Sequence, residues 1–477
     1  MEALLNSFSY FLWVALALGV LVFVHELGHF LAARLFGMRV DAFSLGFPPN
    51  LFYKKVGDTE YRVGAVPLGG YVKIAGMVDE SLDAEGLESE PQPDEFRSKP
   101  VWQRSIVISA GVIFNLVFAV VLFGALAFVY GQSYTPAENV PVEVTDGTIA
   151  SEMGLRTGDR IVGVNGEPIE RFEAVFTPET LSGDPFSLTV RREGGEVELT
   201  GPDGLASRLS RRATEMERAG AEPSFEALFG AGPRFPPVLA SVAPGSPADG
   251  AGIRKGDRVL SIGGEPTPSW NRLTEQVAAS EGRTVEITWA RPDSLGPAGE
   301  GATLVEQRGA AAIYRAEVAP RAAGDGYLLG VGVDQTAVGQ RIERLGLGES
   351  VAAGVDQTVG NVTATFAFIG KLVTGRESVR DNVGGPIMIA KQSKEAADLG
   401  LRAFWRFVAY LSIALAVFNI LPIPALDGGH LVFLAYEGIV RREPSLKVRM
   451  VVQQLGVALI LALMVFVIFN DAVRIFG

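Results

Sequence analysis

The feature that most constrains this chain is an apolar run that leads straight into ionisable residues. From Phe8 to Val24 no side chain is charged, and the run then passes through His25-Glu26-Leu27-Gly28-His29 and continues to Phe36. About 20 apolar residues span a bilayer. Three further runs meet that length: Ile106–Tyr130, Phe407–Leu426 in a segment beginning near Phe404, and Val451–Asn470, all uncharged. Four such runs read as transmembrane helices rather than as buried core helices. No Lys or Arg precedes the first, Glu2 stands at its start, and no short apolar region ends in a small-residue cleavage site. It therefore reads as a retained helix and not as a cleaved signal peptide.

Orientation follows from basic residues in the short flanks. The loop after the first run carries Arg34, Arg39, Lys54, Lys55, Arg62, Lys73, Arg97 and Lys99, and the loop after the third carries Arg441, Arg442, Lys447 and Arg449. Both loops are predicted to be cytoplasmic. The region from about 131 to 402 and both termini then face outward, and the bilayer itself is a partner of the chain.

The His25–His29 motif has the form HExxH. Residues four apart share one helix face, so both imidazoles can reach one cation. Glu26 lies off that line and can reach a water without binding the metal. Ionisable residues inside an apolar helix are costly and default to function. Catalytic zinc takes three protein ligands, and the third is expected from Asp427, in Asn419-Ile-Leu-Pro422-Ile-Pro424-Ala-Leu426-Asp427-Gly428-Gly429-His430. The prolines should break the third helix, and irregular backbone at membrane depth is tolerated where it lines a cavity. Both half-sites lie toward the inner ends of their segments, hence at similar depth. His430 reads as a supporting residue and not as a ligand.

The long outer region repeats itself. Ala150–Gly166 (ASEMGLRTGDRIVGVNG) and Ala248–Gly264 (ADGAGIRKGDRVLSIGG) share a GxxxGDR pattern at an offset of 98 residues. Gly-Asp makes a turn, an apolar strand follows, and Asn-Gly or Gly-Gly makes the next turn. Pro237–Val242 and Thr284–Ala290 read as strands, Trp270–Ala279 as an amphipathic helix, and Pro202–Pro236 as a linker or an edge of the first copy. The arrangement resembles two tandem PDZ domains, modules that take extended peptides at a sheet edge. On the inner side, Asp41–Ile74 reads as a small β-structure, and Asp79–Glu95 holds eight acids and no base, a solvated linker.

Together these motifs resemble the site-2 protease family of intramembrane zinc metalloproteases. HELGH in the first span, NxxPxPxLDG in the third and two intervening PDZ-like domains carry the resemblance across nearly the whole chain. It implies zinc held by His25, His29 and Asp427, with Glu26 as general base and Asn419 as a substrate contact near the metal. It implies a β-element whose Gly69, Gly70, Tyr71 and Val72 pair with an unwound substrate. It further implies cleavage of a single-pass membrane protein of the anti-sigma-factor type, with signal-peptide remnants as further substrates, after a site-1 protease has cut outside the membrane. That places the chain in envelope stress signalling at a bacterial inner membrane, with periplasmic PDZ-like domains acting as a size filter. Two stretches depart from the family pattern: Gly46–Pro49 reads GFPP where GFGP is usual, and Gly111–Asn115 reads GVIFN where a proline often follows the glycine.

The fold expected is a four-helix multi-pass membrane protein with a membrane-associated β-element and two PDZ-like α+β domains. The divisions are 1–37 (first span), 38–78 (β-element), 79–100 (acidic linker), 101–131 (second span) and 132–225 and 226–336 (PDZ-like domains). An outer amphipathic linker at 337–402 precedes the third segment, 403–437, and the fourth, 448–473. Composition excludes other classes. The absence of Cys removes disulfides, thiolate metal sites and a Cys nucleophile, leaving three His to search. A net charge of −12 argues against a nucleic-acid partner. A catalytically idle PDZ-bearing scaffold is the alternative reading, which the intact HELGH and Asp427 oppose. A zinc transporter would show repeated membrane halves, and none is evident.

Overall fold

The computed structural model describes residues 2–77, 90–176, 186–218, 225–299, 301–323, 326–375 and 384–476. Most of the acidic linker, 79–89, lies outside them. The chain divides into two compact units, one of residues 1–131 and 344–477, the other of residues 132–343.

The first unit holds helices α1 (Glu2–Leu35), α2 (Val101–Tyr130), α3 (Leu347–Val373), α4 (Pro386–Asp398), α5 (Leu401–Ile420), α6 (Asp427–Val440) and α7 (Leu446–Phe476). Four stretches are long and apolar enough to cross a membrane: Ser9–Leu35, Val101–Tyr130, Leu401–Ile420 and Lys447–Asp471. They coincide with the four apolar runs of the sequence. The third segment is two helices. Pro422 and Pro424 lack the N–H that would continue α5, so it stops at Ile420 and helix resumes at Asp427.

α2 is the central post. Ser412 of α5 donates its hydroxyl to the Asn115 carbonyl at 2.8 Å. Arg104, buried in the first turn of α2, pairs with Glu437 of α6 and also reaches Glu443 at 3.6 Å. The stretch read as an outer linker contributes α3 and α4 to this same unit. α3 buries Ser350, Gly354 and Thr358, spaced one turn apart, and Gly354 meets the α2 backbone at Val120 and Gly124. Small residues at that spacing let two helix backbones approach closely.

Between α1 and α2 lies a hairpin of two long strands, β1 (Val40–Val56) and β2 (Thr59–Ile74). Both strands fold back on themselves. Ala42–Leu45 pairs with Glu60–Val63 on one side and with Gly70–Lys73 on the other, and Phe52–Val56 pairs with Thr59–Val63. Four rows result, with Gly70–Lys73 at one edge. Phe43 and Val72 join Ala33, Val107 and Ile108 in one apolar cluster, so the edge row is packed against the α1–α2 pair.

The second unit contains two sheets built on one plan. In the first, Arg160–Val164 lies between Glu167–Pro168 and Ser187–Arg192, with Gly195–Thr200 outermost. In the second, Arg258–Ile262 lies between Glu265–Pro266 and Val285–Pro292, followed by Ala311–Val318 and Thr303–Arg308. Each sheet has its own apolar core. The repeated Gly-Asp does the same work twice. Asp159 accepts the Arg156 N–H at 2.8 Å and pairs with Arg192, which also donates to the Gly154 carbonyl at 2.9 Å. Asp257 accepts the Arg254 N–H at 2.8 Å and pairs with Arg291, which donates to the Gly252 carbonyl at 2.7 Å. Burial alone would raise the Asp159 pKa, but its pair with Arg192 and the Arg156 N–H bond hold it below the ordinary carboxylate range. The Trp270–Ala279 helix forms as its pattern predicts, with Ser269 capping it. Pro202–Pro236, read as a linker or edge, holds helix Leu205–Arg218, whose Leu205 and Leu209 enter the first core, and a strand at Ala231–Pro233 that pairs with Val142–Val144.

Candidate metal centre

The site is assembled on α1, closed from below by α2, and completed by the first turn of α6. His25 and His29 lie one helical turn apart and are both buried. Their Nε2 atoms are 3.2 Å apart. Asp427 Oδ2 lies 3.2 Å from His25 Nε2 and 3.4 Å from His29 Nε2. The sequence separation of Asp427 from His25 gave no hint of contact by itself, and the broken third segment is what brings it in. Ala425, two residues before Asp427, has φ +74°, a left-handed conformation that a residue with a β-carbon rarely adopts. Such strain persists only where surrounding contacts enforce it.

The triangle of atoms tests the fit to a metal. A tetrahedron with zinc–ligand distances of about 2.0–2.1 Å has edges of about 3.3 Å. The three observed edges, 3.2, 3.2 and 3.4 Å, match that figure. The hydrogen-bond pattern agrees. His29 Nδ1 lies 2.8 Å from the Val107 carbonyl oxygen, which can only accept, so the proton sits on Nδ1. In the neutral ring Nε2 is then a bare lone pair. Asp427 Oδ2 is buried and accepts no hydrogen bond. Lone pairs converging at these distances repel unless a cation lies between them.

α2 supplies two residues that shape the centre. Gly111 is its floor: a β-carbon there would lie 2.4 Å from His29 Nε2 and 2.8 Å from His25 Nε2. Asn115 is fully buried, with its side-chain amide 3.1 Å from His25 Nδ1. Its Oδ1 lacks a partner. Turned over, the amide presents that oxygen as acceptor to an Nδ1–H, the tautomer that leaves Nε2 bare for a metal. Neither residue was assigned to the metal site from the sequence. The signal available was a lone Asn in the uncharged run Ile106–Tyr130, four residues after a glycine.

A cleft of about 50 Å³ opens on this centre, lined by His25, Glu26, His29, Asp427, His430, Tyr71 and Val72 among others. Glu26 thus shares the cleft with the three candidate ligands. β2 runs along it. A β-carbon at Gly70 would lie 2.8 Å from Val22 Cγ1 and 3.2 Å from Glu26 Cγ, so a glycine lets the strand backbone lie directly on α1 beside Glu26. Gly69 sits against the Phe47 ring. Gly70–Lys73 pairs on one side only among the described residues. Asn419 stands in the last turn of α5, half-buried, and is not among the residues lining the cleft.

Comparison with known proteins agrees with this chemistry. The model of peptidase family M50 matches residues 13–463. The regulator of sigma-E protease RseP of Escherichia coli K12 is 32% identical over 98% of this chain and 99% of its own length. The regulator of sigma E protease of Haemophilus influenzae is 31% identical over 98% of this chain and 100% of its own. A Neisseria meningitidis protein whose name describes it as a zinc metalloprotease is 32% identical over 97% and 98%. The chain belongs to peptidase family M50, the site-2 proteases, and is a membrane-bound zinc metalloprotease.

Proposed function

We propose that His25, His29 and Asp427 hold the zinc and that Glu26 is the general base for hydrolysis of a peptide bond within a substrate's transmembrane segment. The observation that carries this is the convergence of two imidazole Nε2 atoms and one orphaned carboxylate oxygen at 3.2–3.4 Å over Gly111. Zinc held by these residues would supply Lewis acidity and bring the pKa of its water toward about 7. Glu26 accepts the proton of the attacking water on its carboxylate and returns it to the leaving amine nitrogen. Val107 and Asn115 hold the two rings in the required tautomer. Asn419, in the last turn of α5, is assigned a substrate contact by family resemblance alone.

A helical substrate hides its carbonyls in its own hydrogen bonds, and unwinding leaves those groups unpaired in an apolar medium. Gly69–Val72 supplies replacements by adding the unwound segment as a further row of the sheet. Its one-sided pairing and its position beside Glu26 support this. Proline at Tyr71 or Val72 removes a backbone donor and should slow cleavage of a helical substrate while zinc stays bound. Unchanged cleavage would discard the edge-pairing role.

The 132–343 unit reads as two PDZ-like domains on the periplasmic side of an inner membrane. Its second half carries a groove of about 530 Å³ between Ser241–Pro244, Tyr327–Gly332 and the Trp270, Leu273, Thr274 and Val277 face of its helix, the arrangement that accepts an extended peptide. The names of the Escherichia and Haemophilus relatives tie those proteins to sigma-E regulation, and with the family resemblance this supports a substrate of the anti-sigma-factor type, first trimmed by a site-1 protease. In that scheme the outer unit excludes substrates whose outer domain is intact. The deciding experiment is Glu26→Gln in cells carrying a tagged single-pass substrate. Cleavage should cease while the purified variant keeps its zinc; cleavage at the wild-type rate would sink the assignment.

A further inference from the structure

The Gly384-Gly385-Pro386-Ile387 element has no part in the cleft. It begins α4, with Gly385 at the N-cap and Pro386 in the first helical position. A glycine N-cap has no side-chain oxygen for the first-turn N–H groups. Helix α7 provides it. Asp471 Oδ1 accepts the Gly385 N–H at 3.0 Å and Oδ2 accepts the Met388 N–H at 3.1 Å. Asp471 is fully buried, and a carboxylate withdrawn from water needs such donors. A β-carbon on Gly385 would lie 2.7 Å from Asp471 Oδ2 and 2.6 Å from Val467 Cγ1. Glycine is thus required for the carboxylate to reach both N–H groups.

The N-terminal half of α7 abuts the segment that leads into α6. A β-carbon on Gly456 would lie 2.2 Å from the Pro424 carbonyl oxygen, so the two backbones are in contact. The side-chain amide of Gln453 lies 3.4 Å from His430 Nε2. α7 therefore backs the Pro424–His430 segment that carries Asp427. Gly456 and Asp471 belong to one unbroken helix and are about 22 Å apart at 1.5 Å per residue. α7 is also the least buried of the four spans, so few side contacts hold it in place.

We propose that Asp471 is a positioning residue for the metal centre. By capping α4 it fixes the far end of α7, which keeps Gly456 seated on Pro424 and Asp427 in register with His25 and His29. The inference rests on the zinc-site assignment above. It uses the Cys-free chain, in which an engineered cysteine pair has no competitor. Asp471→Ala should weaken zinc affinity and lower kcat by about tenfold or more with KM little changed, since misplacement of about 1 Å at a reacting centre costs that much. Gly385→Cys with Val467→Cys, added to Asp471→Ala, puts a sulfur in the place of Val467 Cγ1, which a β-carbon on Gly385 would approach to 2.6 Å, so the pair is set to form a disulfide between α4 and α7. Oxidation should restore both zinc affinity and kcat, and reduction should abolish the recovery. Asp471→Asn keeps one acceptor oxygen and should fall between wild type and alanine; it decides the matter if the alanine variant does not fold. Wild-type zinc affinity in Asp471→Asn and Asp471→Ala overturns the proposal, as does a cysteine pair that fails to cross-link or cross-links without recovery. A failed zinc-site assignment is recognised separately, by continued cleavage in Glu26→Gln.

Discussion

Gly111→Ala is the sharpest probe of the metal centre, because intrinsic preference and local geometry pull in opposite directions. Within a helix, alanine is favoured over glycine by about 1 kcal/mol. At Gly111 the added β-carbon would meet His29 Nε2 at 2.4 Å, His25 Cε1 at 2.6 Å and His25 Nε2 at 2.8 Å. Ordinary contact begins near 3.4 Å, so the rings would have to retreat by roughly 1 Å, against a metal-site tolerance of about 0.2 Å. Neither ring is free to move. His29 is tied to the Val107 carbonyl at 2.8 Å and His25 to Asn115 at 3.1 Å. We expect zinc affinity to fall by about a hundredfold or more, equivalent to about 2.7 kcal/mol. Zinc stoichiometry by mass spectrometry on the purified protein, with competition by a chelator, reads this directly, and cleavage should fall in parallel. Gly19→Ala in α1 is the control, since a β-carbon there meets nothing within 4 Å. If Gly111→Ala bound zinc as tightly as wild type and cleaved substrate normally, the centre could not lie where the three ligand atoms converge.

Other expectations follow from particular contacts. Asn115→Leu removes the partner of His25 Nδ1 and should weaken zinc binding about 10–100-fold, whereas Asn115→Asp, which keeps an acceptor, should lose less; metal titration separates the two. Asp257→Ala strands Arg291, whose side chain is wholly buried, and should cost about 3–5 kcal/mol in the 132–343 unit, against less than about 1 kcal/mol for breaking the exposed Arg272–Glu265 pair; urea unfolding followed by Trp289 fluorescence checks the contrast. The lowered pKa of Asp159 means that its contribution to stability is complete above the ordinary carboxylate range and is lost as pH falls through the lowered value. Thermal unfolding should therefore show an acid-side loss that Arg192→Met diminishes, and an unchanged acid limb would contradict the pairing.

The parts of this protein that were legible in its sequence are those set by local periodicity. Four uncharged runs read as spans because a helix rises about 1.5 Å per residue and a bilayer has a fixed thickness. His25 and His29 share a face because they are four apart, and the 98-residue repeat shows itself by plain identity. The prolines that end α5 were equally readable. Asp427 could be proposed from topology and depth, but only the fold brings its Oδ2 to 3.2 Å from His25 Nε2. Gly111 and Asn115 left only a lone Asn four residues after a glycine, and the Arg192 and Arg291 partners of the repeated aspartates and the Asp471 cap on Gly385 left no readable pattern. Each is a contact between elements tens of residues apart. Sequence spacing encodes the face a residue occupies on its own element, while the distance between two elements is set by how closely their backbones pack. That packing is what the tertiary structure decided, and it brings a third ligand-type atom, Asp427 Oδ2, to a two-histidine motif.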